Sequence, residues 1–425
     1  TRPKPLLCGA AQQTRGWWYG AAVTEGLSTF AQRTHCKIER PIPKAEKGSN
    51  SMPYTAEEVA ELVEQEDVEC IRLAFFDALG HPKSLFLSPS VLPRALAGGV
   101  PLEEFSADTS PGELLLFPRL HTLQVSDWYR EGEKTARLYC SIRHRSGAPF
   151  AADSRYILQR AEQAARDMGF SLTVDGIQEF YLLPADAGGR PGRVPQDGAQ
   201  AWDAPPADKG AGLREEVCRM LQDVGIRPLF HCHGGGAGQH RIVCRPAGPV
   251  EAADNAMTFR EAVYTAAHHS GLYASFAPKP LIRQRGSGFF IRISLGRAGG
   301  RYMEAFFAGV IRHIRDMTAF LNPVRPSYER LGEIRNEKLC TWTGEGALPY
   351  VELRSPDSAA NPYIAFALLI YAGLDGIRKG LIQGERQAPY FPKTVEEAHH
   401  FARESDFIRD VLPAQVIEAY RQSVL

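Results

Sequence analysis

The longest apolar run in the chain extends from Tyr363 to Leu374 and stops at Asp375. A helix that spans a bilayer needs about 20 apolar residues, so this run is too short to cross a membrane. It predicts a helix that is buried in a protein core. The chain has 425 residues, which is too long for one ordinary domain and long enough for two domains with sizeable cores.

The charge balance argues against two classes of partner. Lys and Arg together number 49, as do Asp and Glu, so the formal net charge is zero. No overall field attracts the protein to nucleic acid or to a membrane, and neither is expected as a partner. The 8 cysteines show no CxxC pair and no framework spacing. Free thiols of this kind are typical of a reducing, cytoplasmic environment.

The composition divides the chain into three parts. Residues 1–51 are basic and poor in acidic residues, without helix or strand periodicity. They are expected to be a disordered extension, or residues upstream of a start at Met52; a transit peptide is the other possibility. A small α+β domain is predicted over residues 52–147 and a larger one over residues 148–425. Thr55 and Glu58 form a capping box at the start of the first helix.

Several local signals predict the elements of these domains. Residues 68–87 suggest two strands joined by a turn, and Asp153 is expected to cap a helix that ends at Gly169. A strand follows over residues 172–183, and the Pro- and Gly-rich residues 185–212 predict a long surface loop. Residues 280–295 look like a pair of strands around a Gly-Ser-Gly turn.

The stretch FHCHGGGAGQHRIVCR, residues 230–245, combines histidines and cysteines with a glycine run. The chain lacks the G-x-S-x-G of a hydrolase, and the glycines match neither G-x-G-x-x-G nor a P-loop. Paired zinc-ligand spacing is also missing. His231 and His233 lie two apart and would share one face of a strand. They could bind one metal together with a distant carboxylate, although histidines hydrogen-bonded within a sheet are commoner.

Several motifs in order along the chain resemble the glutamine synthetase family, from Val68 to the C-terminus. They are Glu179-Phe180-Tyr181-Leu182-Leu183, Gly238-Gln239-His240, Ala253-Asp254, Phe276-Ala277-Pro278-Lys279-Pro280, Gly286-Ser287-Gly288, Ser327-Tyr328-Glu329-Arg330-Leu331, Val351-Glu352-Leu353-Arg354-Ser355-Pro356-Asp357 and Asn361-Pro362-Tyr363. The resemblance implies an α+β fold. An N-terminal β-grasp domain would precede a catalytic domain with a curved antiparallel sheet and flanking helices.

The resemblance also implies an activity and an assembly. Family enzymes use ATP and two divalent metals, Mg or Mn, to phosphorylate the γ-carboxylate of glutamate; ammonia or an amine then displaces phosphate. A homo-oligomeric double ring is implied, with each site between neighbouring subunits. The expected partner is a small amino acid or amine. Phosphoryl transfer to a carboxylate brings two anions together, so it relies on metal ions and arginines for charge neutralisation.

The family's site roles carry over to particular positions of this chain. The resemblance implies that Glu179 and Glu352 are catalytic and bind metal, and that His233 stands at a third metal position. The implied substrate-binding residues are Arg330, Arg354 and Gly286. The implied nucleotide and phosphate residues are Ser294, Arg292 and Arg241.

The chain departs from the family at several of these positions. Ile177, Arg241 and Phe290 stand where the family has metal ligands, and neither an alkyl, a phenyl nor a guanidinium group can ligate a cation. His233 replaces a carboxylate, and imidazole suits Mg²⁺ poorly. The resemblance implies further differences: Arg285 replaces an asparagine, Tyr350 an arginine and Ser106 an aspartate, and Arg335-Asn336 is the remnant of a phosphate-binding run.

Three hypotheses follow from these departures. The first is a family protein with an eroded metal and ATP site, whose ligase activity is weak or lost. The second is an active, remodelled γ-glutamyl–amine or ammonia ligase that uses fewer metals, with Arg241, Arg285 and Arg292 supplying positive charge. The third is a one-metal site built from Glu179, His231 and His233.

Overall fold

The computed structural model describes residues 54–102, 113–129, 132–334, 340–343, 349–382 and 390–424. The extension predicted over residues 1–51 lies outside this range, as do Ser106 and Arg335-Asn336. Two sheets with flanking helices make up the described chain, and the predicted α+β class is confirmed.

The first sheet is built by the N-terminal part of the chain. Helix α1 (Ala56–Gln65) begins at the predicted capping box, where the Thr55 hydroxyl accepts from the Glu58 amide and the Glu58 carboxylate accepts from the Thr55 amide. The remaining elements are β1 (Cys70–Phe76), β2 (Pro82–Leu87), α2 (Leu92–Gly98), β3 (Val100–Leu102), β4 (Leu114–Pro118), β5 (Gln124–Ser126) and β6 (Thr135–His144). The strand order is β2-β1-β6-β4-β3, with β5 added to β6; β1 and β6 are parallel.

The second sheet is antiparallel and curled around its longest strand. Its elements are α3 (Ser154–Asp167), β7 (Thr173–Pro184), α4 (Ala211–Asp223), β8 (Pro228–His233), β9 (Gln239–Cys244), α5 (Pro249–His269), β10 (Leu272–Ser275), β11 (Phe289–Ser294), β12 (Cys340–Thr343) and β13 (Tyr350–Leu353). The order is β12-β13-β11-β7-β9-β8, and β10 pairs with the end of β7. The long β7 therefore contacts three other strands along its length.

The C-terminal part of the chain is helical. Its helices are α6 (Gly296–Gly299), α7 (Met303–Leu321), α8 (Arg325–Gly332), α9 (Pro362–Arg378), α10 (Val395–Glu404), α11 (Asp406–Val411) and α12 (Ala414–Gln422). The apolar run of the sequence lies in α9, which is buried between α7 and α3, so the predicted core helix is confirmed. Within the described ranges no helix is both long and apolar enough to cross a membrane.

Polar contacts join the first sheet to helix α5 of the second. The Arg137 guanidinium donates to the Thr258 hydroxyl at 2.9 Å, and the Tyr139 hydroxyl donates to the carbonyl of Asp254 at 3.2 Å. Arg72 forms an ion pair with Glu261 on the same helix. Side chains of β1 and β6 therefore contribute to fixing the relative position of the two sheets, beside the hydrophobic cluster that the sheets share.

One local prediction was wrong. The segment before the Gly-Ser-Gly turn forms no strand, and β11 alone represents the expected pair. The chain there is held by isolated contacts instead: the Lys279 ammonium donates to the Gln284 carbonyl at 2.6 Å, and the Ser287 amide donates to the Pro278 carbonyl at 2.9 Å. These hydrogen bonds hold residues 278–287 in a compact loop. A segment folded in this way cannot also lie extended beside β11 as its partner strand.

Candidate functional site

One face of the second sheet collects the charged residues of the candidate site. Glu179 on β7 pairs directly with Arg241 on β9, and Ile177 pairs with Phe290 on β11. Arg292 on β11 pairs with Asp175 on one side and with Glu352 of β13 on the other. Residues that face each other across a ladder share a side of the sheet, as do alternate residues of one strand. We call this set, together with Val243 and Cys232, the site face.

The Glu352 carboxylate is occupied by two arginines of the protein. Arg292 Nε donates to one carboxylate oxygen and Arg354 Nε donates to the other. Burial alone would raise the pKa of Glu352, but the two guanidinium groups hold that pKa below its ordinary value. The Arg354 guanidinium also lies 5.4 Å from the centre of the Phe290 ring. A buried carboxylate with two cationic partners has little capacity left for a metal ion.

Two positions that the family resemblance assigns to metal ligands are part of an apolar cluster. Ile177, Val243 and Phe290 pack together as a small buried hydrophobic group on the site face. A divalent cation that binds oxygen ligands gains nothing from such surroundings. With the double ion pair at Glu352, this cluster shows that the residues present do not fit two divalent metals.

Glu179 is the carboxylate of the site face that keeps a free oxygen. Its Oε2 accepts from the Gly288 amide at 3.0 Å and from Gln239 Nε2 at 3.4 Å. Both of these bonds go to Oε2 and none within the described chain goes to Oε1, and 6% of the residue stays exposed. Glu179 is therefore fixed through one oxygen while the other can receive a ligand.

Arg241 points away from the glutamate that it pairs with. Its Nη2 donates to Cys232 Sγ at 3.7 Å, and its guanidinium carbon lies 5.8 Å from the centre of the Trp202 ring. Arg241 Nε is buried and has no hydrogen-bond partner in the described chain. Trp202 is 68% exposed and adopts a φ of 71°, an uncommon conformation for a residue other than glycine.

His233 lies on the opposite side of the sheet from Glu179. It pairs with His240 across the β8–β9 ladder, whereas Cys232 pairs with Arg241, so alternation turns His233 away from the site face. The buried imidazole donates through Nδ1 to the Gly234 carbonyl at 2.9 Å, and its Nε2 lies 3.1 Å from Asp197 Oδ1. The structure thus separates His233 from Glu179 and Glu352, with which the family resemblance groups it.

The same alternation separates both histidines of β8 from Glu179. His231 accepts a hydrogen bond at Nδ1 from Arg214 Nε at 3.2 Å. It lies on the side of the sheet that carries His233, which follows it by two residues on β8. The hypothetical one-metal site of Glu179, His231 and His233 is therefore not assembled.

The ligand atoms of Asp197, His233 and His240 do lie within 4.8 Å of one another, a spacing that a metal ion could use. The hydrogen bonds that these side chains form argue against metal binding. Arg214 Nη1 is 2.7 Å from His240 Nδ1, and since arginine only donates, it consumes the lone pair of the neutral imidazole. Burial, followed by the charge of Arg214, lowers the pKa of His240 to about 3. His240 Nε2 then carries the proton and cannot ligate.

This cluster instead anchors the long loop of residues 185–210 to the sheet. Asp197 also accepts from the amides of Gly238 and Lys209, at 3.1 and 3.0 Å. Asp208 forms a buried ion pair with Arg214. The loop passes the edge of β8, where the Trp202 amide donates to the His233 carbonyl at 3.4 Å. The anchor thereby brings Trp202 to Arg241.

The remaining predicted residues mostly support the backbone. Arg330 is 2% exposed and donates to the carbonyls of Ser355 and Arg354 at 2.7 and 2.8 Å. A Cβ at Gly286 would lie 2.6 Å from the Arg330 side chain, so glycine is required there by close approach. Ser294, at the end of β11, is buried, and its hydroxyl has no partner in the described chain.

Sequence reasoning missed three residues that shape the site. Asp175 could have been found, because it precedes Ile177 and Glu179 at strand spacing and so shares their face. Asp197 and Trp202 lie in a Pro- and Gly-rich loop, where no periodicity indicates which side chains turn toward the sheet.

Comparisons with known proteins agree with this architecture. Residues 151–423 match the family model described as glutamine synthetase, catalytic domain. The chain is 32% identical over 375 residues to a glutamine synthetase of Clostridium saccharobutylicum, covering 81% of this chain and 85% of that protein. A glutamine synthetase of Methanosarcina mazei is 31% identical over 414 residues, covering 86% of this chain and 92% of that protein. A solved structure of GmaS without ligand superimposes with a TM-score of 0.75 at 24% identity and covers 86% of this chain and 94% of that one. A GmaS/ADP complex also gives a TM-score of 0.75, at 23% identity, and covers 86% of this chain and 97% of that one.

Proposed function

The chain belongs to the glutamine synthetase family, and from that premise we propose a ligase-type protein whose ligase activity is weak or lost. It binds a small amino acid or amine at the site face without the two metal ions that the chemistry of this family generally uses. The expected curved antiparallel sheet agrees with this membership.

The observation that supports the proposal is that the protein's own side chains occupy the metal positions. Glu352 is held by Arg292 and Arg354, and Ile177 and Phe290 lie in an apolar cluster. Removing one preorganised electrostatic group from an active site costs about 3 kcal/mol of transition-state stabilisation. Losing several carboxylate ligands, with arginines added, removes the negative charge that would hold two metal ions, and with those ions the means of bringing ATP and a carboxylate together.

Two measurements test this proposal together. Purified protein is titrated with ATP and MgCl₂ or MnCl₂ by calorimetry, and γ-glutamyl hydroxamate is assayed with glutamate, ATP and hydroxylamine. The glutamine synthetase of Clostridium saccharobutylicum serves as the active control under the same conditions. We expect no hydroxamate above the blank and no metal-dependent ATP binding. Hydroxamate formation at a rate comparable to that of the control overturns the proposal.

A remodelled ligase is the second candidate, and Arg241 is the observation that favours it. Its buried Nε has no hydrogen-bond partner in the described part of the chain, so this guanidinium keeps an unused donor on the site face. Arginine neutralises phosphate charge in other phosphoryl-transfer enzymes. This candidate predicts hydroxamate formation that persists at low metal concentration and that Arg241→Gln abolishes.

The assembly and the location of the protein are further proposals. Exposed apolar side chains lie on β2 and β8, each an outer strand of its sheet, namely Phe86, Leu229 and Phe230. They support a homo-oligomer, with a double ring as the expected form, which native mass spectrometry measures directly. The free thiols of the described cysteines support a reducing, cytoplasmic environment.

A further inference from the structure

Two arginines of the first sheet, Arg119 and Arg143, extend from the same side of that sheet. Arg143 on β6 pairs with Leu115 on β4, and its guanidinium carbon lies 5.4 Å from the centre of the Phe117 ring, two residues further along β4. Arg119 follows β4 in an extended conformation, so it shares the side of Leu115 and Phe117. The guanidinium group of Arg143 therefore extends toward Arg119.

A third arginine approaches the same place from the second part of the chain. Arg155, at the start of α3, is 2% exposed, and its Nε and Nη2 donate to the Asp254 carboxylate at 3.1 and 2.9 Å. Tyr139 connects this ion pair to Arg119: its hydroxyl donates to the Asp254 carbonyl at 3.2 Å, and its carbonyl accepts from the Arg119 amide at 2.8 Å. Asp254 thus neutralises Arg155 but does not pair with Arg119 or Arg143.

The charges of Arg119 and Arg143 are unmatched. Neither side chain forms an ion pair or a hydrogen bond within the described ranges, where Arg119 Nε and Arg155 Nη1 are also buried without a hydrogen-bond partner. Burial, followed by the charges of Arg155 and Arg143, lowers the pKa of Arg119. Other described arginines with a lowered pKa each have an aspartate nearby that opposes the shift; they are Arg137, Arg260 and Arg330. Two positive charges are therefore left close together without compensation.

The number and chemistry of these charges select the class of ligand. Like charges at this spacing repel each other, and an anion between them removes that cost. Two unmatched positive charges favour a dianion, and a phosphate monoester carries a charge of about −1.5 to −2 at pH 7. Guanidinium groups bind phosphate through parallel hydrogen bonds. Both Arg119 and Arg143 are only partly buried, so a ligand can reach them from solvent.

We propose that Arg119 and Arg143 form a binding site for a dianionic phosphate group, with the charge of Arg155 beside them. Inorganic phosphate and the phosphate group of an ester share this chemistry. The site lies on the first sheet near the start of α3, whereas the site face belongs to the second sheet. It therefore goes beyond the proposed function, and neither depends on the other.

The test measures phosphate binding by the full chain in the presence of EDTA. Sodium phosphate and phenyl phosphate are titrated by calorimetry at pH 7. The midpoint of thermal unfolding is measured alongside, with sodium chloride at equal ionic strength as the control. We expect phosphate to bind and to raise the midpoint by more than chloride does. Binding of both compounds identifies a site that accepts esters, and binding of inorganic phosphate alone identifies a site for the free ion.

Matched variants assign the binding to these arginines. Arg119→Gln and Arg143→Gln should each weaken phosphate affinity about tenfold or more, the usual effect of losing a charge-assisted hydrogen bond. Arg219→Gln, exposed on α4, changes the net charge by the same amount, and Arg241→Gln removes a guanidinium group from the site face. Both of these controls should bind phosphate as the parent does. Circular dichroism establishes that each variant is folded.

A substitution that supplies an internal anion gives the sharpest test. Arg119→Asp places a carboxylate beside Arg143 and Arg155, where it takes the place of the ligand. Without phosphate, this variant should unfold at a higher temperature than the parent, because attraction replaces repulsion between neighbouring charges. Adding phosphate should stabilise the parent and leave the midpoint of Arg119→Asp unchanged.

The site is overturned if phosphate has no larger effect than chloride, or if it stabilises Arg119→Asp as much as the parent. An equal loss of affinity in Arg119→Gln and Arg219→Gln also overturns it, since that result indicates nonspecific attraction. Loss of binding in Arg241→Gln alone would assign the phosphate to the site face and overturn the proposal as well. None of these results changes the expectation for hydroxamate formation, which tests the proposed function separately.

Discussion

At the residue scale, Glu352 shows how a carboxylate that could bind metal has become part of the fold. Its two oxygens are each held by a different arginine, and the residue is buried. We predict that Glu352→Gln destabilises the protein by about 3 kcal/mol, the low end for breaking a buried ion pair, because Arg354 is half exposed. Urea denaturation at neutral pH measures this difference, with the exposed Glu304→Gln as control.

The pH dependence of that difference has a definite sign. The folded pKa of Glu352 lies below its ordinary value. A carboxyl group of this kind contributes stability above its unfolded pKa of about 4.3 and loses that contribution as the pH falls through the folded value. The difference in the free energy of unfolding between wild type and Glu352→Gln should therefore be largest at pH 7 and should become smaller below about pH 4. If this stability difference instead increased as the pH fell, that result would contradict the assignment of the ion pairs.

Arg241 determines the charge of the site face, and its reversal gives a second prediction. Arg241→Glu places two carboxylates opposite each other, with Glu179 as the partner. Hard divalent cations bind carboxylate oxygens, so the affinity for Mn²⁺ should rise at least about tenfold, or about 1.4 kcal/mol. Calorimetry with MnCl₂ measures it, and Arg219→Glu on the surface of α4 is the control. An equal gain in both variants would indicate nonspecific attraction.

At the element scale, strand alternation explains both what the sequence could predict and what it could not. Motif order identified the strand that carries Glu179. It also identified Ile177 and Phe290 as positions where the family's metal ligands are missing. The face of His233 was not, because it depends on the register of β8 against β9. A shift of one residue in that register exchanges the two faces. Motif spacing alone cannot choose between them.

The crossing of α7 and α9 gives a prediction about packing. Gly309 contacts Gly376, and a Cβ at Gly309 would lie 2.2 Å from the Ala372 carbonyl and 2.7 Å from the Gly376 amide. Because these atoms are backbone, Gly309→Ala must push the helices apart, at a cost of about 2 kcal/mol or more. Gly332→Ala, where a Cβ meets nothing within 4 Å, should change stability by less than about 0.5 kcal/mol. Thermal unfolding of both variants compares them.

At the scale of the whole molecule, the sequence predicted the two kinds of sheet but not how they join. Hydrophobic periodicity identifies buried faces, and the hydrophobic clusters formed from such residues, the largest of them spanning both sheets. The joint combines a shared hydrophobic cluster with polar contacts, in which Arg72 and Arg137 of the first sheet reach Glu261 on α5. These residues are far apart in the sequence and carry no periodic signal, so only the structure brings them together.

Glu261 should therefore strengthen the coupling between the two sheets. Its carboxylate pairs with Arg72 and lies 3.4 Å from Arg137 Nη1. Glu261→Gln leaves two largely buried guanidinium groups without their anion, which should cost about 3 kcal/mol. The loss should appear first in β1 and β6, whose arginines lose their partner, while the protection of β7 falls less. Amide hydrogen exchange resolves these strands separately, and Glu304→Gln should leave both unchanged. If protection falls equally in β6 and β7, the sheets unfold as one cooperative unit, and the contact with Glu261 is not what couples them.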